Sequence, residues 1–338
     1  DRIYVTGLLN EQGYVFAFDL QGKRLWKSSY GEDHHESYPG ARTTPTVTGD
    51  GKLYLVSGAG NLVCMSTADG NILWQVNVFK QFGGENLRWG MTESPLVNGD
   101  AVYVTPGKKT AMAALNRHDG STIWTSESNG GQLSSYSSPV LVNHNGRDLI
   151  LQMMQTSAVA VDPENGELLW THTHKTDWDV NPNTPVYHDG HVLIYSGYGT
   201  GAQLLKLSKD GSVVTKVWEN SILDSQIGGA VLVNGRLYSS GQKNRGWHCV
   251  DWNTGKTLFS EDPFRKGPII AADGKLILYS ESGDMALADP AEQSLNIVSQ
   301  FEIKMGSKQH WAHPVVKDGR LYVRHGDVLM VYDVAMNE

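Results

Sequence analysis

One phrase recurs along this chain and decides what it can fold into. Ala160-Val161-Asp162-Pro163-Glu164-Asn165-Gly166-Glu167-Leu168-Leu169-Trp170 is its clearest copy. Residues 17–26 are the same phrase one residue shorter, 64–74 and 114–124 repeat it, and 249–259 end in Phe. Looser copies occupy 205–218 and 287–301. The phrase reads as a strand, a tight turn closed by Gly, and a second strand carrying a large aromatic. The aromatics stand 48, 50, 46, 48, 41 and 42 residues apart. A strand-rich unit of about 40–50 residues is the size of one four-stranded propeller blade, and such units are stable only when each buries its neighbour's face.

The rest of each unit agrees. Ahead of the phrase lies a strand, an Asp-Gly or Asn-Gly type turn and another strand, as in Pro314-Val-Val-Lys-Asp-Gly-Arg-Leu-Tyr-Val323. That turn chemistry supplies the positive φ of a tight hairpin. The four strands are named A to D, with A beginning at the Pro and D carrying the aromatic. Pro has no N–H for a ladder and belongs at the head of a strand. Mostly small residues precede it (Thr44, Ser94, Ser138, Thr184, Gly267), which implies crowding there. Strands of type B start near residues 3, 53, 102, 149, 192, 237, 276 and 321, which makes eight. The expected fold is therefore all-β: one domain over 1–338, an eight-bladed β-propeller with incomplete first and last blades. Asp1 aligns with Gly319 in an A–B turn, so the chain is expected to start inside a blade whose D and A strands lie upstream.

Composition excludes some classes. The net charge is −8, with no Lys/Arg run, which argues against a nucleic-acid partner. No apolar run approaches a membrane span. Cys64 and Cys249 stand where other copies have Ala and read as small core residues.

The phrase Ala-x-Asp-x-x-x-Gly-x-x-x-Trp, as at 160–170, resembles the tryptophan-docking repeat of quinoprotein-type (PQQ-like) propellers. The resemblance covers essentially the whole chain. It implies that Trp26, Trp74, Trp124, Trp170, Trp218, Phe259 and Phe301 dock blade on blade, the two Phe being departures from the motif. Segments 38–45 and 85–95 look like those of short exported members, which implies a periplasmic, secreted or cell-envelope location. In the family's pyrroloquinoline quinone (PQQ) dehydrogenases the cofactor needs a calcium or lanthanide on carboxylate and amide oxygens, a catalytic Asp and typically an adjacent Cys-Cys disulfide. This chain has no adjacent cysteines and no compact carboxylate cluster. No metal and no cofactor are therefore expected, with PQQ and calcium kept as the alternative, and catalytic residues are left unassigned.

In a propeller the D–A connections line one mouth of the axial channel, and loops on a rigid scaffold carry binding residues. The candidates there are Arg42, Arg88, Trp89, Glu93, Tyr136, Trp178, Asp179, Asn183, Gln226, Lys266, His310, Trp311 and His313. Trp89 and Trp311 are placed to stack a sugar or other planar ligand, and Arg42 with Arg88 to fork a carboxylate. Glu93 with His310 or His313 is an acid–base candidate. The connection 76–93 reads as a loop folded over the mouth. His34 and His35 read as solvated, and His172 with His174 as a solvated strand edge. The expected function is a monomeric ligand-binding or scaffolding propeller without PQQ, taking a small polar or carbohydrate-like ligand or a protein segment. A quinone-dependent alcohol or sugar dehydrogenase and an envelope protein-assembly module are the alternatives.

Overall fold

The structure, a computed structural model, describes residues 2–335, so Asp1 lies outside the described residues. The fold is an all-β, eight-bladed β-propeller of antiparallel sheets. Six sheets have four strands in the order A-B-C-D, and the first and last have three. The blades span residues 3–32, 46–77, 96–125, 140–173, 186–220, 230–261, 269–302 and 315–333. The first blade consists of B, C and D strands (Ile3–Leu9, Gln12–Phe18, Arg24–Glu32). The last consists of A, B and C strands (Val315–Lys317, Arg320–His325, Val328–Asp333). The eight B strands begin within two residues of the expected positions.

Contacts divide the chain into two compact units. The first runs to Pro185 and adds Leu207–Val214; the second holds Val186–Lys206 and the chain from Thr215.

The repeated phrase builds the same contact in each unit. Its Asp closes the C–D turn: Asp19 Oδ1 accepts the N–H groups of Gln21 and Lys23. Its small residue faces the docking aromatic across the C–D ladder, as Ala17↔Trp26, Cys64↔Trp74, Ala114↔Trp124 and Ala160↔Trp170 in the first unit. Cys249↔Phe259 is the counterpart in the second. Ala and free Cys alternate there because the ring leaves room for little more, and both cysteines are buried.

The indole then reaches the next blade's C–D turn. In the first unit Trp74 Nε1 donates to Arg117 O at 3.0 Å, and Trp124 Nε1 to Pro163 O at 3.0 Å. In the second, Trp218 Nε1 donates to Trp252 O at 2.8 Å. The ring lies on the turn glycine. A Cβ on Gly120 (φ +76°) would sit 2.8 Å from Trp74, and one on Gly166 (φ +81°) 2.5 Å from Trp124. The glycine is fixed by its left-handed backbone and by the ring above it.

A tyrosine on the B strand supports several of these contacts. Tyr54 OH donates to Arg117 O and Tyr103 OH to Pro163 O, the carbonyls that Trp74 and Trp124 already use. In the sixth blade Phe259 has no N–H. There Tyr238 packs on Phe259 at 6.3 Å, and its OH donates to Ala291 O at 2.9 Å. The Phe departure is tolerated because the tyrosine holds the carbonyl.

The pre-proline residues explain their small size. In the first unit Thr44 N–H donates to Ser94 Oγ, Ser94 N–H to Ser138 Oγ, and Ser138 N–H to Thr184 Oγ1, at 3.1, 2.9 and 3.3 Å. Each hydroxyl satisfies an amide of the preceding blade that has no ladder partner. In the second unit glycine takes over: a Cβ on Gly267 would lie 1.8 Å from Tyr279 O.

Candidate functional site

In the first unit four of the expected residues come together from three D–A connections. Trp89 and Tyr136 pack with ring centroids 6.0 Å apart, and the Arg88 guanidinium lies 5.0 Å from the Trp89 ring centre. Trp89 N–H points at Tyr136 OH at 3.4 Å. Arg42 interacts electrostatically with Tyr136 and with buried Asp33. Its Nη2 donates to Ser37 O and Tyr38 O, so the guanidinium also closes its own loop. Trp178 and Tyr38, on D–A connections of the same unit, are 60% and 56% exposed.

Beneath this cluster lies a buried polar network. Glu93 is fully buried; its Oε1 accepts from Thr105 N–H at 3.1 Å, and its Oε2 is hydrogen-bonded to Thr105 Oγ1. Gln152 Nε2 donates to Thr105 Oγ1 at 2.9 Å and to Glu93 Oε2 at 3.3 Å. Ser137 Oγ donates to Gln152 Oε1 at 3.1 Å. No cation pairs with this carboxylate in the network, and burial pushes Glu93 up to about 8, against the opposing pull of the Thr105 hydrogen bonds. Asn183 is buried, and Asp179 accepts from Gln155 Nε2 at 3.1 Å.

The second unit links three candidates and adds two residues. Gln226 Nε2 donates to Tyr198 OH at 2.8 Å, and Lys266 Nζ donates to Gln226 Oε1 at 2.6 Å. Lys266 lies 3.8 Å from Glu281 Oε2, and Trp311 Nε1 donates to Glu281 Oε1 at 3.0 Å. Burial lowers Lys266, while Glu281 and Asp224 oppose the shift. His310, on the same loop as Trp311, stacks on His325 at 3.5 Å; His313 is exposed.

Sequence reading missed Asp33, Thr105, Gln152, Tyr198, Asp224, Glu281 and His325. Most sit on B strands or B–C turns, which reach the same end of the blades as the D–A loops. Five of the seven lie off the D–A connections to which the motifs point. Asp224 lies on a D–A connection and looks in sequence like a surface acid; it is buried, and its carboxylate accepts the N–H groups of Gly199, Gln242 and Lys243.

Three readings need correction. His34 is buried, not solvated, with Nε2 on Ser37 O at 3.0 Å, and Gly90 is tight against its ring. Burial, then Arg42, lowers its pKa. His174 is buried rather than on a solvated edge; both ring nitrogens lack a hydrogen-bond partner, and burial lowers it to about 4. The connection after the second blade opens with a helix, α1 (Val78–Phe82), not a plain loop. Asn77 caps its start, Gly83 ends it at φ +67°, and Val78 and Phe82 bury its apolar side.

Among the described residues no three His, Cys, Asp or Glu side chains gather in a way that could hold a metal ion. None of the described helices is long and apolar enough to cross a membrane.

A family profile described as outer membrane protein assembly factor BamB matches residues 11–261. The chain belongs to this BamB-like family of PQQ-like propellers. No curated protein sequence matches the chain. Among solved structures, BamB from Moraxella catarrhalis is similar with a TM-score of 0.69 and 15% identity, over 98% of this chain and 97% of that one. A europium-containing methanol dehydrogenase gives 0.67 and 13%, over 95% and 80%. The quinohemoprotein alcohol dehydrogenase from Comamonas testosteroni gives 0.64 and 13%, over 95% and 70%. At these identities the likeness to solved structures shows the fold alone.

Proposed function

We propose that this BamB-like propeller is a docking protein of the cell envelope, periplasmic or exported, that grips a protein segment with the D–A loop end of its blades. The observation that carries this reading is the Arg42–Tyr136–Trp89–Arg88 cluster, flanked in the same unit by exposed Tyr38 and Trp178. Trp, Tyr and Arg are the residues that dominate protein interfaces, because they combine a large rigid apolar area with a polar tip. Glu93, Thr105, Gln152 and Ser137 below them are bonded to one another, so this part of the loop end is preorganised and loses little order on binding.

The residues present do not fit a metal–quinone centre. Such a cofactor asks for several oxygen ligands around one cation and planar groups on both faces of its ring. Here Glu93, Asp33 and Asp224 are each spent on neighbouring N–H or hydroxyl groups. The family description as an assembly factor supports the protein-docking reading.

The test is site-directed photo-crosslinking in a host cell. A probe at Trp178 or Tyr38 should capture one defined protein, and a probe at Asp119 on the opposite, C–D turn end should not. Equal capture from both ends overturns the reading. So does dye reduction with alcohols or sugars by protein given PQQ and calcium.

A further inference from the structure

The second unit holds a buried histidine whose two ring nitrogens both face acceptors. His325 ends the B strand Arg320–His325. Its Nδ1 lies 2.7 Å from Met305 O, and its Nε2 2.9 Å from Lys308 O. A carbonyl oxygen has no proton to give, so each nitrogen must supply the hydrogen itself. Neutral imidazole carries one N–H; only the imidazolium carries two. The ring is 6% exposed.

The surroundings are cut to this geometry. Residues 305–308 belong to the D–A connection after the seventh blade, and glycines let them close on the ring. A Cβ on Gly306 (φ +99°) would lie 2.3 Å from His325 O and 2.8 Å from Nδ1. One on Gly326 (φ +58°) would lie 2.2 Å from Ser307 O. On its face His325 carries His310, 3.5 Å away and 20° from parallel. Two cations cannot share that distance without strong repulsion, so His310 is the neutral partner. Its Nδ1 is hydrogen-bonded to Tyr279 OH at 2.6 Å. Burial first, and then His325, lower His310, while Asp284 acts the other way.

We propose that His325 is a proton-operated latch: its doubly protonated ring ties the 305–308 segment down, and loss of that proton frees the connection that carries His310 and Trp311. Neutral His325 keeps one carbonyl and turns a lone pair on the other. The titratable and charged groups around the pair are Tyr279, Asp284, Lys308, Arg324 and Asp327. Lys308 offers the ring its carbonyl, Asp327 accepts from Ser307 Oγ at 3.1 Å, and Arg324 Nε donates to Gly326 O at 3.1 Å. Because the closed form holds the proton, acid favours closure and loss of the proton weakens it. A loop-end surface that must release in one compartment and hold in another is served by such a device. The latch stands apart from the docking reading, since it concerns the free protein.

The experiment is hydrogen exchange of the whole chain, followed in peptides covering 303–312. After correction for intrinsic exchange, protection should fall roughly tenfold or more between about pH 5.5 and about pH 8, the loss expected for one charge-assisted hydrogen bond. His325→Gln should give low protection with no pH step, and His310→Gln should keep the step. Flat protection in the unaltered protein overturns the latch, whether or not either variant folds. A step that survives His325→Gln and disappears in His310→Gln also overturns it, because the proton then belongs to the other ring.

Discussion

Glu93 offers the sharpest test of how the loop end is built, because its environment fixes both the sign and the size of a pH effect. The carboxyl is fully buried and ionises near 8 rather than at the ordinary 4.5. A folded pKa above the unfolded one means that the fold holds the proton more tightly. The penalty is absent below pH 4.5, grows as pH rises towards 8 and is constant above that. At about 1.4 kcal/mol per pH unit, the native state gives up roughly 3 kcal/mol by pH 7 and roughly 5 by pH 8 and beyond. Glu93→Gln removes the ionisation and keeps the shape. The amide oxygen still accepts from Thr105 N–H, and the amide nitrogen can donate to Thr105 Oγ1. Its cost is a donor facing Gln152 Nε2, on the order of 1 kcal/mol. Urea midpoints should therefore cross. At pH 5 the variant should match the unaltered protein or fall slightly below it, and at pH 8 it should be the more stable by about 2–4 kcal/mol. If the difference between the two proteins is the same at both pH values, the buried carboxyl is not titrating in this window and the reasoning fails.

Two further outcomes probe the repeat. Gly120→Ala should cost about 2–4 kcal/mol by urea denaturation, from backbone strain plus collision with Trp74. Gly99→Ala, with similar positive φ but open space around it, should cost only about 1–2; equal losses would remove Trp74 from the explanation. Tyr238→Phe should lower stability by about 1–2 kcal/mol, and Tyr54→Phe by clearly less, because Trp74 still donates to the carbonyl that Tyr54 leaves. Equal losses would show that the tyrosine does not compensate for the missing indole.

What could be read from the sequence was whatever repeats. The docking aromatic, the turn Asp and Gly, and the small residue opposite the ring recur because one local geometry recurs, so a single chain supplied five to seven examples of each. The buried networks do not repeat. Glu93, Asp33 and Asp224 look in sequence like surface acids in polar loops. Each is buried because the chain brings amides to it from a neighbouring strand or turn: Thr105, Gly58, and Gln242 with Lys243. No spacing rule announces such a meeting. The two buried histidines were misread for the same reason. Polarity and charged neighbours suggested solvent for His34, while the fold wrapped it against Gly90. Trp89, Tyr136 and Arg42 lie near one another because all three are on D–A connections, where topology alone brings loops distant in sequence together.

The two units solve the loop-start problem differently, and this bears on where specificity can reside. In the first unit the hydroxyls of Ser94, Ser138 and Thr184 tie each connection to the one before it. The residues one step earlier, Thr43, Glu93, Ser137 and Asn183, are all buried beneath the connections. A change at Glu93 disturbs hydrogen bonds to two blades, through Thr105 and Gln152, so the floor there has little freedom to vary. In the second unit Gly228 and Gly267 remove side chains from the crowded position, and long polar chains take over the bridging: Gln226 to Tyr198, Lys266 to Gln226, Trp311 to Glu281. Those links run through flexible side chains nearer solvent and can be exchanged without breaking backbone hydrogen bonds. The aromatic–arginine cluster on the rigid floor therefore suits an anchoring role. The polar array, with its histidine-tied loop, can adjust its contacts at small cost to the fold.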